Sequence, residues 1–201
     1  MVNQYRTVPG NIVVAAIFLA LVSLPSCKTR PNLVIHQSDT LSVVLREMPM
    51  GYPAIQPFDH PYTIQPNKVF EVLASLHYDA GSSLPFSRSQ PGSVFTKLQA
   101  EQLAPELSKA LNRALPLEVT AFVIADAERP DRRTTGLMFV LGDELHLIIE
   151  ELRKPSYQGE QKTYQQQVPR WELLPGNKQR HYASRPGGKG TVTNWIITPL
   201  R

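Results

Sequence analysis

Two histidine–carboxylate pairs are the residues of this chain best suited to chemistry. Asp59-His60 precedes a proline, and His77 is followed two positions on by Asp79. Brought together, they would supply two imidazoles and two carboxylates, enough for one metal ion or for a general base with its orienting acid. His77, at the end of a predicted helix, reads equally as a cap or rim residue favoured there by the helix dipole. Ser82 and Ser83 lie nearby, but serines beside Gly81 are usual in turns. His146 alternates with Leu145 and Leu147, which predicts a ring on the solvent side of a strand, with Glu150-Glu151 as a solvated strand end. The chain has no Gly-Xaa-Ser-Xaa-Gly elbow, no His-Glu-Xaa-Xaa-His helix and no phosphate-binding glycine loop. Its only cysteine is Cys27, which excludes an intramolecular disulfide and any multi-cysteine zinc site. Neither a metal nor a cofactor is expected from these spacings.

Charge points to a second kind of chemistry. Residues 27–152 hold 11 basic and 15 acidic side chains, whereas residues 153–201 hold 9 basic and 2 acidic. In that basic stretch Arg170, Trp171, Lys178, Arg180, His181, Tyr182, Arg185 and Lys189 interleave cations with aromatics. Such a surface suits lipid headgroups, lipopolysaccharide phosphates or an acidic protein partner. Read more plainly, it is a solvated loop with residues 185–190 as its tip. No helix start follows Gly187-Gly188, so that pair is a turn and not a phosphate cradle.

The first 27 residues concern location. Arg6 is the one charged side chain before residue 11, and residues 11–24 are almost wholly apolar. That run is shorter than the roughly 20 residues a permanent spanning helix needs. A charged start, a short apolar core and a small residue before a break are the layout of a secretory signal. The break, Leu24-Pro25-Ser26-Cys27, resembles the lipobox of bacterial lipoproteins, with Pro25 where a small flexible residue is commoner. In that family the cysteine sulfur receives a diacylglyceryl group, a dedicated signal peptidase cuts before it, and the new amino terminus is usually acylated as well. The resemblance thus implies lipidation of Cys27, which also removes it as a nucleophile, since a thioether cannot become a thiolate. In enterobacterial lipoproteins an aspartate after the cysteine favours the inner membrane; Lys28 implies the outer one. Without the resemblance, an ordinary cleaved signal or an uncleaved anchor also fits. A buried helix of a cytosolic protein should not begin at residue 11 and end at a Pro-Ser-Cys corner.

The elements that would position these residues follow from periodicity. Residues 1–26 are expected to be a signal peptide, 27–32 a polar tether, and 33–201 a single domain whose part from 153 onwards is basic. A body of about 175 residues is large enough for a real core. Residues 33–47 predict one or two strands. Prolines at 49, 53, 57, 61 and 66 prevent regular structure between 48 and 66. Pro66 suits the first position of a helix over 67–78. Thr96-Lys97-Leu98-Gln99 matches a capping box opening a second helix that Pro116 stops, with Phe95 and Ala100 as a staple. Pro105 inside it predicts a kink or two abutting helices. Strands are expected over 117–127, over 132–140 and 144–152 as a hairpin around Leu141-Gly142-Asp143, more weakly over 163–174, and over 191–198. Helices early and strands late indicate an α+β fold: two helices packed on one face of an antiparallel sheet of about five strands.

The expected function is a lipid-anchored, non-enzymatic lipoprotein of the bacterial cell envelope. It would face the periplasm and bind a protein partner or an anionic envelope component; nucleic acid is not an expected partner for an exported chain. The alternative is an envelope hydrolase or metal-dependent enzyme using Asp59, His60, His77 and Asp79.

Overall fold

The computed structural model describes residues 31–81, 91–156 and 171–201. Among them, strands β1 (Leu33–Gln37), β2 (Leu41–Glu47), β5 (Glu118–Ala125), β6 (Arg132–Leu141), β7 (Glu144–Pro155), β9 (Arg180–Ala183) and β10 (Thr191–Pro199) form one antiparallel sheet. Their order is β1-β2-β5-β6-β7-β10-β9. A smaller sheet holds β3 (His77–Asp79) between β4 (Gly92–Ser93) and β8 (Glu172–Leu174). The α+β class and the antiparallel sheet are as the sequence predicts, but about five strands is too few. Strands of two to four residues, such as β4, β3, β8 and β9, are too short to carry a period.

The two helices cover one face. In α1 (Pro66–Ala74) proline takes a first-turn position, and Val69, Val72 and Leu73 are buried. The helix ends earlier than its pattern suggests because Ser75 closes it: its hydroxyl donates to Val72 O and its N–H to Glu71 O. His77 and Asp79 therefore lie in β3, not at a helix end. In α2 (Lys97–Arg113) both halves of the capping box form: Gln99 N–H donates to Thr96 Oγ1, and Thr96 N–H to Gln99 Oε1. The helix runs unbroken through Pro105, so the two-helix alternative is not seen. Pro105 lies on the exposed side, where the carbonyl it leaves unbonded can meet water. Leu103, Leu107 and Leu111 are buried in one core with Leu45, Met138, Leu147 and Ile196. Those sheet residues are linked strand to strand through Leu45↔Thr120, Thr120↔Met138, Met138↔Leu147 and Leu147↔Ile196.

One residue along each strand, a second row reads Val34, Val44, Ala121, Leu137, Ile148 and Trp195. From Ala121 to Trp195 this opposite face is buried as well, while Val34 at its edge is exposed. Its core contains Phe58, Phe139 and Trp195, with Tyr52, Ile55 and Tyr182 packed against it. The cover is the proline-rich strap between β2 and α1. Lacking secondary structure, the strap spends its backbone groups on the ends of other elements: Phe58 N–H donates to Pro116 O, Asp59 N–H to Val140 O and Tyr62 N–H to Leu111 O. His146 faces into this layer and is 4% exposed. The expectation of a solvent-facing ring fails because both faces of β7 are covered.

Register also defines two ends of the sheet. The chain enters at Leu33, beside the end of β2 and the start of β5 (Glu47↔Glu118), and the β6–β7 turn and Pro199 lie at this same end. That turn has Gly142 and Asp143 at φ 63° and 59°, the left-handed pair that a two-residue hairpin requires. The far end holds Ala125, Arg132 and Pro155.

Candidate functional site

Asp59 and His60 sit in the strap, and both are occupied structurally. His60 is 5% exposed and bridges two strands: Nδ1–H donates to Glu118 O at 2.9 Å, and Val140 N–H donates to Nε2 at 3.1 Å. Because Nε2 accepts, the ring is neutral. Burial holds its pKa below the ordinary 6.5, against the opposing pull of the Glu118 carbonyl and of nearby carboxylates. Asp59 Oδ2 accepts from Gly142 N–H at 2.5 Å, fastening the strap to the hairpin turn. His77 is exposed in the small sheet with its Nδ1 2.9 Å from Ser75 O, and Asp79 Oδ1 accepts from Gly81 N–H. Among the described residues no three His, Cys, Asp or Glu side chains gather to hold a metal. The shared site imagined for Asp59, His60, His77 and Asp79 is therefore not assembled as a metal centre, and neither ring nitrogen of His60 is left for a substrate.

The aromatic layer holds a second neutral imidazole. His146 Nδ1 accepts from Trp195 Nε1–H at 3.2 Å, and its ring stacks on Phe139 at 4.9 Å. Burial pushes its pKa down to about 4. Tyr182 stacks on the other side of the layer, 3.9 Å from Trp195.

The basic stretch is divided by the fold. Trp171 packs against the helix-side core and Tyr182 against the strap-side core. Arg180 is paired with Glu144 at 2.8 Å, and His181 Nε2 lies 2.8 Å from Leu173 O. Lys178 is exposed in the turn before β9; Arg185 and Lys189 are exposed in the β9–β10 turn. Arg170, Cys27, Ser82 and Ser83 lie outside the described residues.

What the fold does assemble is a groove of about 450 Å³ at the far end of the sheet. Tyr78 and Ala80 line it from the small sheet's side, together with Trp171, which precedes β8. The β5–β6 turn supplies Asp126, Glu128 and Arg129, and the strands beside it supply Arg132, Leu152 and Arg153. Asp126 organises the turn: Oδ1 accepts the N–H groups of Glu128 and Arg129, and Oδ2 pairs with Arg153 Nε at 3.2 Å. Arg153 has φ 48° at a place where the β6–β7 register shifts, a conformation costing a residue with a Cβ about 1 kcal/mol or more. It is held there by Thr134 Oγ1, which accepts its N–H, and by Ser93 O, which accepts from Nη2.

Arg129 and Arg132 have no ion pair and no side-chain hydrogen bond among the described residues. Planar guanidinium groups with unused donors suit carboxylate or phosphate oxygens; Trp171 lines the groove with them, and the Tyr78 ring lies under the Arg153 guanidinium, 5.9 Å from its centroid. No family model, curated protein or solved structure matches this chain. The groove's lining comes from four separate stretches, so no spacing in the sequence marks it. The one local signal is Arg129-Pro130-Asp131-Arg132-Arg133, one arginine in the β5–β6 turn and two at the start of β6.

Proposed function

We propose that the chain is an exported lipoprotein, held to the bacterial outer membrane by lipid on Cys27, and that its periplasmic domain binds an anionic envelope component in the arginine–aromatic groove. The observation that carries the binding part is the pair of unpaired guanidinium groups, Arg129 and Arg132, beside Trp171 and Tyr78. The Leu24-Pro25-Ser26-Cys27 motif and Lys28 support the anchoring part. The ligand class is a carboxylated or phosphorylated glycan: oxygen anions for the arginines, a sugar face for the ring of Trp171. No bond-making step is required of the groove, so the reading is one of binding and not of catalysis.

Anchoring is tested by metabolic labelling with a palmitate analogue, which should mark the wild type and not Cys27→Ala. Binding is tested by intrinsic fluorescence. Trp195 is fully buried, and Trp171, the other tryptophan, lines the groove. Titration with a galacturonate trisaccharide should change the Trp171 emission, whereas the neutral galactose trisaccharide should not. The Arg129→Ala/Arg132→Ala pair should bind at least about tenfold more weakly, since charged hydrogen bonds contribute about 1.5–3 kcal/mol each. Equal binding of the charged and neutral sugars, or an unaffected double variant, would refute the groove as the site.

A further inference from the structure

Large apolar side chains that face water are unevenly placed on this domain. Among the described residues they are Val34, Met50, Leu98, Leu115 and Leu117, with Met50 98% exposed. Leu98 stands at the start of α2, and Gln99 beside it donates to Ala125 O at the far end. The other four belong to the end at which the chain enters. Met50 follows β2 by three residues, Leu115 and Leu117 precede β5, and the facing ends of those strands, Glu47 and Glu118, are register partners. Val34 lies one residue beyond the entry point, paired with Val44. The strap joins the patch: Gln56 Nε2 donates to Leu117 O and Phe58 N–H to Pro116 O.

Charge at this end is largely cancelled. Asp143 pairs with Arg201 at 3.0 Å and Glu144 with Arg180 at 2.8 Å. Glu47 and Arg113, both exposed, are of opposite sign. A near-neutral surface with projecting Leu and Met is matched to the interfacial zone of a bilayer, where apolar side chains reach the acyl boundary. The chain leading to it supplies the geometry. Five residues separate Cys27 from Leu33, and the six Cα-to-Cα steps span at most roughly 20 Å of extended backbone.

We propose that this end of the domain rests on the lipid surface, with Met50, Leu115 and Leu117 in the headgroup region, so that the groove faces away from the membrane. The inference rests on lipidation of Cys27 and adds to it a fixed orientation, where the tether alone would leave the domain free to tumble. A second copy of the chain seated on the same patch is the competing occupant.

Because Cys27 is the chain's only cysteine, a thiol introduced elsewhere in the lipidated protein is the only one open to labelling. Met50→Cys, Leu117→Cys and, at the far end, Asp131→Cys would each carry an NBD dye. The full lipidated chain is then reconstituted in phosphatidylethanolamine–phosphatidylglycerol vesicles containing doxyl-labelled lipid. Dyes at 50 and 117 should be quenched several-fold and the dye at 131 should not. Leu115→Asp/Leu117→Asp should abolish quenching at 50 while leaving the palmitate label in place. Palmitate present with no quenching at 50 or 117, or equal quenching at all three sites, overturns the orientation and leaves anchoring intact. Dyes at 50 that quench one another between labelled copies in place of the doxyl effect assign the patch to a dimer and also overturn it. Absence of palmitate, with dye reacting at Cys27, removes the anchoring reading and this inference together.

Discussion

The two faces of the large sheet are buried by different means, and their chemistry differs accordingly. On one face the cover is helical. A helix satisfies its own backbone, so the buried sheet residues beneath the helices include no imidazole: Leu45, Thr120, Phe122, Met138, Val140 and Leu147. On the other face the cover is the proline-rich strap, which cannot satisfy itself. Its amides must find partners in the elements it crosses, and His60 reaches in to satisfy an N–H and a carbonyl where no backbone group does so. The result is an aromatic layer containing two neutral imidazoles. Irregular cover thus brings titratable groups into a core, where helical cover has no need of them.

The largest expected effect tests whether the strap-covered face is a true core. Trp195→Ala should cost about 4 kcal/mol, in the range for a fully buried aromatic. It empties the centre of the layer and leaves His146 Nδ1 without its indole donor. Leu107→Ala under the helices should cost about 3 kcal/mol. Urea titration measures both, and a Trp195→Ala cost below 1 kcal/mol would show that the strap side is only a lid.

Acid should separate the faces next. His60 and His146 titrate below their ordinary value in the folded chain. Between pH 6.5 and about 4 the unfolded chain therefore binds protons that the folded one refuses, and stability falls as pH falls. His146 alone accounts for a loss on the order of 3 kcal/mol by pH 4. His146→Gln should flatten that slope, and the loss should appear as amide exchange in the strap before α2 opens. Stability unchanged from pH 7 to pH 4 would mean that the rings are not locked neutral.

The smallest effect belongs to the helical face. Thr96→Ala removes the side-chain acceptor for Gln99 N–H and should cost about 1 kcal/mol, with no dependence on pH. An acid-dependent cost there would blur the distinction between the faces.

The same contrast explains what the sequence made legible. Helix α2 announces itself through Thr96 and Gln99, and the β6–β7 turn through Gly142-Asp143, because both are local devices. Proline spacing in the strap excludes helix and strand, yet it carries no information on whether the segment packs. The expectation for His146 fails for the same reason: alternation with Leu145 and Leu147 indicates two sides but not which of them is wet. Ile148, in phase with His146, was the available hint. The groove was invisible because Tyr78, Asp126, Arg153 and Trp171 meet only through the pairing of β3 with β8 and of β6 with β7.

Strand β7 runs for 12 residues, so the two ends of the sheet stand roughly 40 Å apart at about 3.3 Å per residue. At physiological salt the Debye length is about 8 Å, and several such lengths separate the arginines of the groove from the end where the chain enters. Ions in the surrounding solvent therefore screen one end of the sheet from the other. A negative surface under one end leaves the potential at Arg129 and Arg132 unchanged, and their attraction is reserved for whatever anion arrives at the other.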